Sequence, residues 1–219
     1  ISRRLFWQFF GPRMDVQEAS PHGVYNSAIR QIEGHQIQFI ALDTRSFRGQ
    51  LKPTLLRNSP GAERYVPNAD ASQSMLGEAQ WIWLNDQLKR PADIRIVMSS
   101  IQVLAEGHGW ERWGNLPHER DRLLKMLQLR SPSELLLISG DRHVGGAYQL
   151  IFGGERFMEI TASGLNMAWS QTTEYLPNQI GDPIREDHFA VISITQDGLD
   201  RVVWHGSSGD PLAFVDVGR

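Results

Sequence analysis

The segment Ser139-Gly140-Asp141-Arg142-His143 combines the residue types and spacing that best suit metal chemistry. It follows a run of aliphatic residues, 135–138, which predicts a strand buried on both faces. If this strand stays extended past Gly140, the Asp141 and His143 side chains project to the same side. A carboxylate oxygen beside an imidazole nitrogen suits a divalent or trivalent metal ion. The alternative is an ordinary turn, because Gly and Asp are common turn residues.

Strands and helices that alternate along the chain would position this segment. Strands are predicted at residues 36–43, 94–98 and 135–138, and amphipathic helices at 77–89, with Ser74 as a cap, and at 118–129. This order favours an α/β layered domain with parallel central strands, whose carboxyl ends meet at one edge of the sheet.

Further strands flank this α/β pattern on both sides. Residues 24–30 would form a hairpin with residues 36–43. After His143 a mostly antiparallel series is predicted at residues 148–152, 157–161, 188–195, 199–205 and 212–217.

Composition excludes several classes of function. The 219 residues are 41% hydrophobic and 21% charged, which is typical of a soluble globular protein. The net charge is −3 and the basic residues are scattered, so binding to duplex nucleic acid is not expected. The absence of cysteine excludes disulfides, thiolate metal sites and a cysteine nucleophile. No apolar run approaches the roughly 20 residues that span a bilayer, so no membrane span is expected.

The start of the chain predicts an amphipathic helix. Leu5, Phe6, Phe9 and Phe10 follow near-helical spacing, and no initiator Met is present. We therefore expect the chain to be a piece of a longer protein.

Two polar loops, residues 49–74 and 106–116, are long enough to suggest a functional role. The second loop contains Trp110 and Trp113, which could wall a substrate pocket and stack on an aromatic leaving group. The alternative is that both indoles pack as a local core.

Seven short segments, taken in order, resemble the alkaline phosphatase D family, the PhoD-like branch of calcineurin-like metallophosphatases. The segments are Gly23-Val24-Tyr25, Leu42-Asp43-Thr44-Arg45, Met75-Leu76-Gly77-Glu78-Ala79-Gln80-Trp81, Ser99-Ser100-Ile101-Gln102-Val103-Leu104, Glu111-Arg112-Trp113, Pro117-His118-Glu119-Arg120 and Ser139-Gly140-Asp141-Arg142-His143. The resemblance covers the chain from about Phe6 to Phe189.

The resemblance implies a fold and an activity. The family fold is a two-sheet β-sandwich flanked by helices, in which strand-end loops gather a dinuclear metal centre. Its members hydrolyse phosphomonoesters and often phosphodiesters, and their metals include iron and calcium. Asp141 and His143 match the Asp and His of the family's last metal-binding motif.

The resemblance also implies that ligands are missing. The family's first metal motifs, which include an early Asp with a Tyr and a Trp-Asp-Asp-His-Asp segment, would lie upstream of Phe6. Two cations roughly 3.5 to 4 Å apart need about six or more protein ligands. We therefore expect residues 1–219 to be a single, truncated metallophosphatase domain that is catalytically incomplete.

Three arginines are candidates for binding a small phosphate ester, because a guanidinium matches phosphate geometry and stays charged. Arg45 and Arg142 are assigned to the phosphate itself, and Arg120 to the substrate pocket. The alternative for each is a structural ion pair, and Asp43 with Arg45 could simply brace a loop. A water activated by metal would then attack phosphorus without a serine nucleophile.

Two other functions stay open at this stage. One is a non-catalytic metal-binding or structural module with the same fold, and the other is a related phospholipase or phosphodiesterase. The sequence leaves the metal identity, oligomeric state and cellular compartment open.

Overall fold

The structure is a computed structural model that describes residues 2–10, 23–130, 134–172 and 176–218. Its helices are α1 (Ser2–Phe10), α2 (Glu78–Gln87) and α3 (Pro117–Arg130). Its strands are β1 (Asn26–Ile32), β2 (His35–Ala41), β3 (Lys52–Pro53), β4 (Tyr65–Val66), β5 (Ile94–Met98), β6 (Glu134–Ser139), β7 (Gly145–Phe152), β8 (Glu155–Ala162), β9 (Gln179–Ile184), β10 (His188–Thr195), β11 (Gly198–Gly206) and β12 (Pro211–Asp216).

A seven-stranded mixed sheet in the order β1-β2-β5-β6-β8-β7-β9 forms the centre of the fold. Strands β2, β5, β6 and β8 run parallel, and the remaining neighbours are antiparallel. Ala41 pairs with Met98, Met98 with Ile138, and Ile138 with Ile160. The carboxyl ends of the four parallel strands therefore lie level at one edge, as the alternating sequence pattern predicts.

Both faces of this sheet are covered. Buried residues of α2 and α3, such as Leu84 and Leu123, pack in one core cluster with Val97 and Leu137 of the sheet. A second, three-stranded sheet in the order β10-β11-β12 covers the opposite face, where Trp204 is buried. The fold is thus a β-sandwich flanked by helices, which confirms the predicted fold class.

One local prediction from the sequence is wrong, and one strand was missed. Ser74 does not cap α2: the N-cap is Gly77, with φ 71° and no side-chain cap, and the Ser74 hydroxyl accepts the Gly77 N–H at 2.8 Å. Strand β9 was not predicted because Gly181, Asp182 and Pro183 all disfavour strands. The proline is tolerated because β9 is an edge strand that pairs only with β7.

Among the described residues, no helix has the length and apolarity needed to cross a lipid bilayer.

Glu119 connects α3 to the segment before α2. Its buried carboxylate accepts the Met75 N–H at 2.6 Å, the Ser74 hydroxyl at 2.7 Å and the Trp81 indole N–H at 3.0 Å. Two of the family-like segments are therefore joined by one acceptor, which fixes the helical layer against the loop that follows β4.

Replacing Glu119 by Ala is expected to lower the free energy of unfolding by about 2–4 kcal/mol, because buried donors lose their acceptor. The matched control is Glu78→Ala, which removes an exposed carboxylate 3.4 Å from Arg122 and should cost less than about 1 kcal/mol. Urea unfolding of both variants measures the difference. Equal losses would show that the Glu119 contacts contribute little.

Candidate metal centre

The Asp141–His143 segment turns sharply after β6. The strand ends at Ser139, and Asp141 and His143 have φ angles of 71° and 56°. The extended conformation considered from the sequence is therefore wrong, although both side chains are exposed at the carboxyl edge of the sheet. Non-glycine residues rarely adopt positive φ, and such backbone clusters at functional sites.

Two contacts hold this turn in place. The Trp169 N–H donates to the His143 carbonyl oxygen at 2.6 Å, and the Ser163 hydroxyl donates to the Val144 carbonyl oxygen at 3.1 Å. The loop that follows β8 therefore fixes the backbone of the turn that carries Asp141.

Asp141 belongs to a cluster of four charged side chains. Arg45 Nη2 donates to Asp141 Oδ1 at 3.2 Å, and Arg45 Nη1 donates to the two oxygens of Glu111 at 2.7 and 2.6 Å. Arg48 also pairs with Glu111. Burial, with a smaller contribution from Arg45, lowers the pKa of Arg48, whereas Asp141 opposes this shift. The structure thus brings Arg45 and Asp141 together, and it adds Glu111, which lies in a family-like segment but was given no role from the sequence.

Asp43 holds the loop after β2 and is itself buried. Its carboxylate accepts the backbone N–H groups of Val24 at 2.9 Å, Arg45 at 3.0 Å and Ser46 at 2.9 Å. Burial opposes ionisation, but the hydrogen bonds from these groups keep the pKa of Asp43 below its ordinary value. The Gln80 side chain pairs with both backbone groups of Asp43, at 2.8 and 2.9 Å. Asp43 therefore braces this loop through backbone N–H groups, including that of Arg45.

Arg142 lies on the inner side of the turn. It is buried, and its guanidinium carbon lies 5.6 Å from the centre of the Trp110 ring and 5.8 Å from that of Trp169. The two indoles meet edge to face, with ring centres 5.3 Å apart. Arg142 therefore supports an aromatic wall, whereas the side chains of its neighbours Asp141 and His143 are exposed.

Trp110 and Trp169 line a cavity of about 480 Å³. Glu63, Gln171 and Leu176 also line it. The prediction that Trp110 walls a pocket agrees with this position, and Trp169 provides the second aromatic wall. No sequence signal distinguishes Trp169 from an indole packed in the core, because its partner Trp110 lies 59 residues earlier in the chain.

Trp113 and Arg120 do not line this cavity. Trp113 is fully buried in the core, where its indole N–H donates to the Ser99 hydroxyl at 3.0 Å, so its assignment to a substrate pocket is wrong. Arg120 pairs with Glu106 and lies 3.8 Å from Asp121, which matches the alternative of a structural ion pair.

A neutral histidine is buried beneath this region. His108 is 1% exposed; its Nε2 lies 3.1 Å from Gln102 Oε1, and its Nδ1 accepts the Trp110 N–H at 3.2 Å. Burial, with smaller contributions from Arg142 and Arg112, lowers the pKa of His108 to about 2. His108 therefore orients the loop that carries Trp110 without carrying charge.

Glu159 of β8 holds a neighbouring loop in a similar way. Its fully buried carboxylate accepts the backbone N–H groups of Val103 at 2.8 Å and Leu104 at 2.6 Å. Burial raises the pKa of Glu159, and the hydrogen bonds oppose this shift. The segment after β5 is therefore anchored directly on β8.

The described residues do not form a complete metal shell. In residues 2–10, 23–130, 134–172 and 176–218, no group of three or more His, Cys, Asp or Glu side chains is arranged to hold a metal ion. Asp141 and His143 offer one hard oxygen donor and one imidazole, which suits two positions of such a shell.

A helix-flanked sandwich with polar loops at the carboxyl edge of its parallel strands is the calcineurin-like metallophosphatase architecture. Within this class, the family model of the PhoD-like phosphatases matches residues 11–196, and the chain belongs to that family. No curated protein matches the chain in sequence.

Two solved structures share the fold. The structure of PhoD is 18% identical, with a TM-score of 0.60 over 93% of this chain and 42% of that chain. Purple acid phosphatase PPD1 from yellow lupin (Lupinus luteus) seeds is 11% identical, with a TM-score of 0.60 over 94% of this chain and 34% of that chain. The chain therefore spans less than half the length of either protein.

The depressed pKa of His108 predicts a pH dependence of stability. Unfolded His108 takes up a proton near pH 6.5, whereas the folded form stays neutral to about pH 2. Stability is thus lost as pH falls below about 6.5, by about 2 kcal/mol between pH 6.5 and 5. Urea unfolding of wild type and His108→Gln at several pH values measures this. Between pH 6.5 and 5 the free energy of unfolding of the variant should fall by about 2 kcal/mol less than that of wild type. An unchanged slope would contradict a neutral buried His108.

Proposed function

We propose that this chain is part of a metal-dependent phosphoesterase and supplies Asp141 and His143 to its metal centre. The observation that carries the proposal is an exposed carboxylate and imidazole on a left-handed turn at the sheet edge, in a PhoD-like phosphatase. The substrates are small phosphomonoesters, with phosphodiesters as a second class. Iron, calcium or both are the expected metals, and other parts of the protein supply the remaining ligands.

Arg45 is the residue best placed to bind phosphate beside these ligands. Its side chain is 47% exposed; its Nη2 donates to Asp141, and its Nη1 donates to both carboxylate oxygens of Glu111. A guanidinium held in this way presents its remaining N–H groups in a fixed orientation to the non-bridging oxygens. A bound metal supplies Lewis-acid activation of the phosphoryl group and of water.

Arg142 has a supporting role in this proposal. Because it is buried against Trp110 and Trp169, it contributes positive charge from behind the aromatic wall. Direct contact between Arg142 and phosphate would require its side chain to leave both rings.

A non-catalytic metal-binding module is the second candidate. It needs only the carboxylate and the imidazole at the Asp141–His143 turn, both of which are exposed in this chain. Metal binding without hydrolysis in the full-length protein would support this candidate.

Asp141→Asn and His143→Ala are each expected to weaken Mn²⁺ binding by at least about tenfold, because each change removes one donor. Isothermal titration calorimetry measures this in the full-length protein, which supplies the remaining ligands. In the full-length protein, both variants and a chelator should abolish hydrolysis of p-nitrophenyl phosphate. Asp197→Asn, which alters an exposed turn residue, is the matched control. Unchanged metal affinity in both site variants would overturn the assignment.

Arg45→Met is expected to weaken binding of inorganic phosphate to the metal-loaded protein by about tenfold or more, because charge-assisted hydrogen bonds are lost. Metal affinity should not fall, since Asp141 keeps its charge and loses a competing cation. Arg201→Met, which removes the exposed partner of Asp216, is the control. A loss of metal affinity without a loss of phosphate affinity would contradict this role.

A further inference from the structure

The cavity between the two tryptophans shares a wall with the candidate metal turn. Trp169 lines the cavity, and its backbone N–H donates to the His143 carbonyl oxygen at 2.6 Å. Arg142, between Asp141 and His143 in the chain, faces the Trp169 and Trp110 rings. The cavity therefore lies next to the backbone of the turn that carries Asp141 and His143.

Both sides of the cavity are held in place. On one side, the Glu63 carboxylate accepts the N–H groups of Gly61 at 2.9 Å and of Gly109. A Cβ at Gly109 would lie 2.5 Å from the Glu63 backbone nitrogen, so only glycine permits this close approach of the two loops. On the other side, the Asp187 carboxylate accepts the Ala168 N–H at 2.8 Å, next to Trp169. The cavity is therefore largely pre-formed, as small-molecule sites are.

The lining predicts the chemistry of the occupant. Two indoles meet at 83° and form an aromatic corner, and Leu176 and Pro60 add apolar surface. Among the described lining residues, only Glu63 is charged, and its carboxylate oxygens already accept backbone N–H groups. A volume of about 480 Å³ lies within the range of small-molecule pockets. These features suit an uncharged aromatic ring.

We infer that this cavity binds the aromatic leaving group of an aryl phosphate whose phosphoryl group sits at the Asp141–His143 turn. This inference rests on the proposed function for the position of the phosphate. The aromatic corner selects esters with a flat ring over esters of small alcohols. Trp169 and Trp110 are specificity-determining residues in this assignment, and Arg142 positions their rings.

Binding of 2-naphthol, 2-naphthyl phosphate and methyl phosphate to the Mn²⁺-loaded full-length protein tests the inference by calorimetry. We expect 2-naphthol to bind, and 2-naphthyl phosphate to bind at least about tenfold more tightly than methyl phosphate. Failure of 2-naphthol to bind, or equal affinities for the two esters, would overturn the inference.

Trp169→Ala should lower the affinity for 2-naphthol and for 2-naphthyl phosphate about tenfold and leave the affinity for methyl phosphate unchanged. Trp169→Phe, which keeps an aromatic ring, should give an intermediate loss and guards against misfolding of the alanine variant. The matched control is Trp83→Ala, which removes another half-buried indole, one that packs on Tyr25 and does not line the cavity. Equal losses for the Trp169 and Trp83 variants would overturn the inference.

The two proposals fail in different ways. If the metal assignment is wrong, Asp141→Asn leaves the affinity for 2-naphthyl phosphate unchanged, while Trp169→Ala still lowers the affinity for 2-naphthol. If the cavity assignment is wrong, Trp169→Ala leaves the affinity for 2-naphthol unchanged, while Asp141→Asn still lowers the affinity for methyl phosphate.

Discussion

The level alignment of four parallel strands is the constraint on which the site depends. Because β2, β5, β6 and β8 run in the same direction with matched registers, the loops that follow them converge at one edge of the sheet. Asp43 lies on the loop that follows β2, and Asp141 follows β6 two strands away. Arg45, on the loop after β2, can therefore reach Asp141, although 96 positions separate them. The chemistry of this edge is a consequence of strand order.

Buried polar side chains convert this convergence into a fixed geometry. Glu119, Glu159 and Asp43 are buried carboxylates that accept backbone N–H groups from loops at this edge. A loop held in this way cannot move without leaving donors unsatisfied, which is costly inside a protein. His108 and Glu63 do the same for the loop that carries Trp110. Several family-like segments therefore serve to hold loops rather than to contact substrate.

Periodicity predicted the elements well, and it predicted tertiary contacts poorly. The bounds of strands β5 and β10 were predicted to the residue, because each is a largely apolar run bounded by polar or turn-forming residues. The left-handed backbone at Asp141 and His143 was not predictable, because non-glycine residues rarely adopt it and the Trp169 N–H that binds the His143 carbonyl comes from a residue distant in sequence. For the same reason the sequence could not tell Trp110, on the cavity, from Trp113, in the core.

The claim that Asp141 and His143 share a cation is tested most directly by anomalous X-ray scattering. Crystals of the protein grown with Mn²⁺ should show an anomalous peak within bonding distance of both the Asp141 carboxylate and the His143 imidazole. Arg45 should then no longer be paired with the coordinating oxygen of Asp141. A peak bonded to neither residue, or two side chains directed away from any bound ion, would contradict a metal centre at this turn.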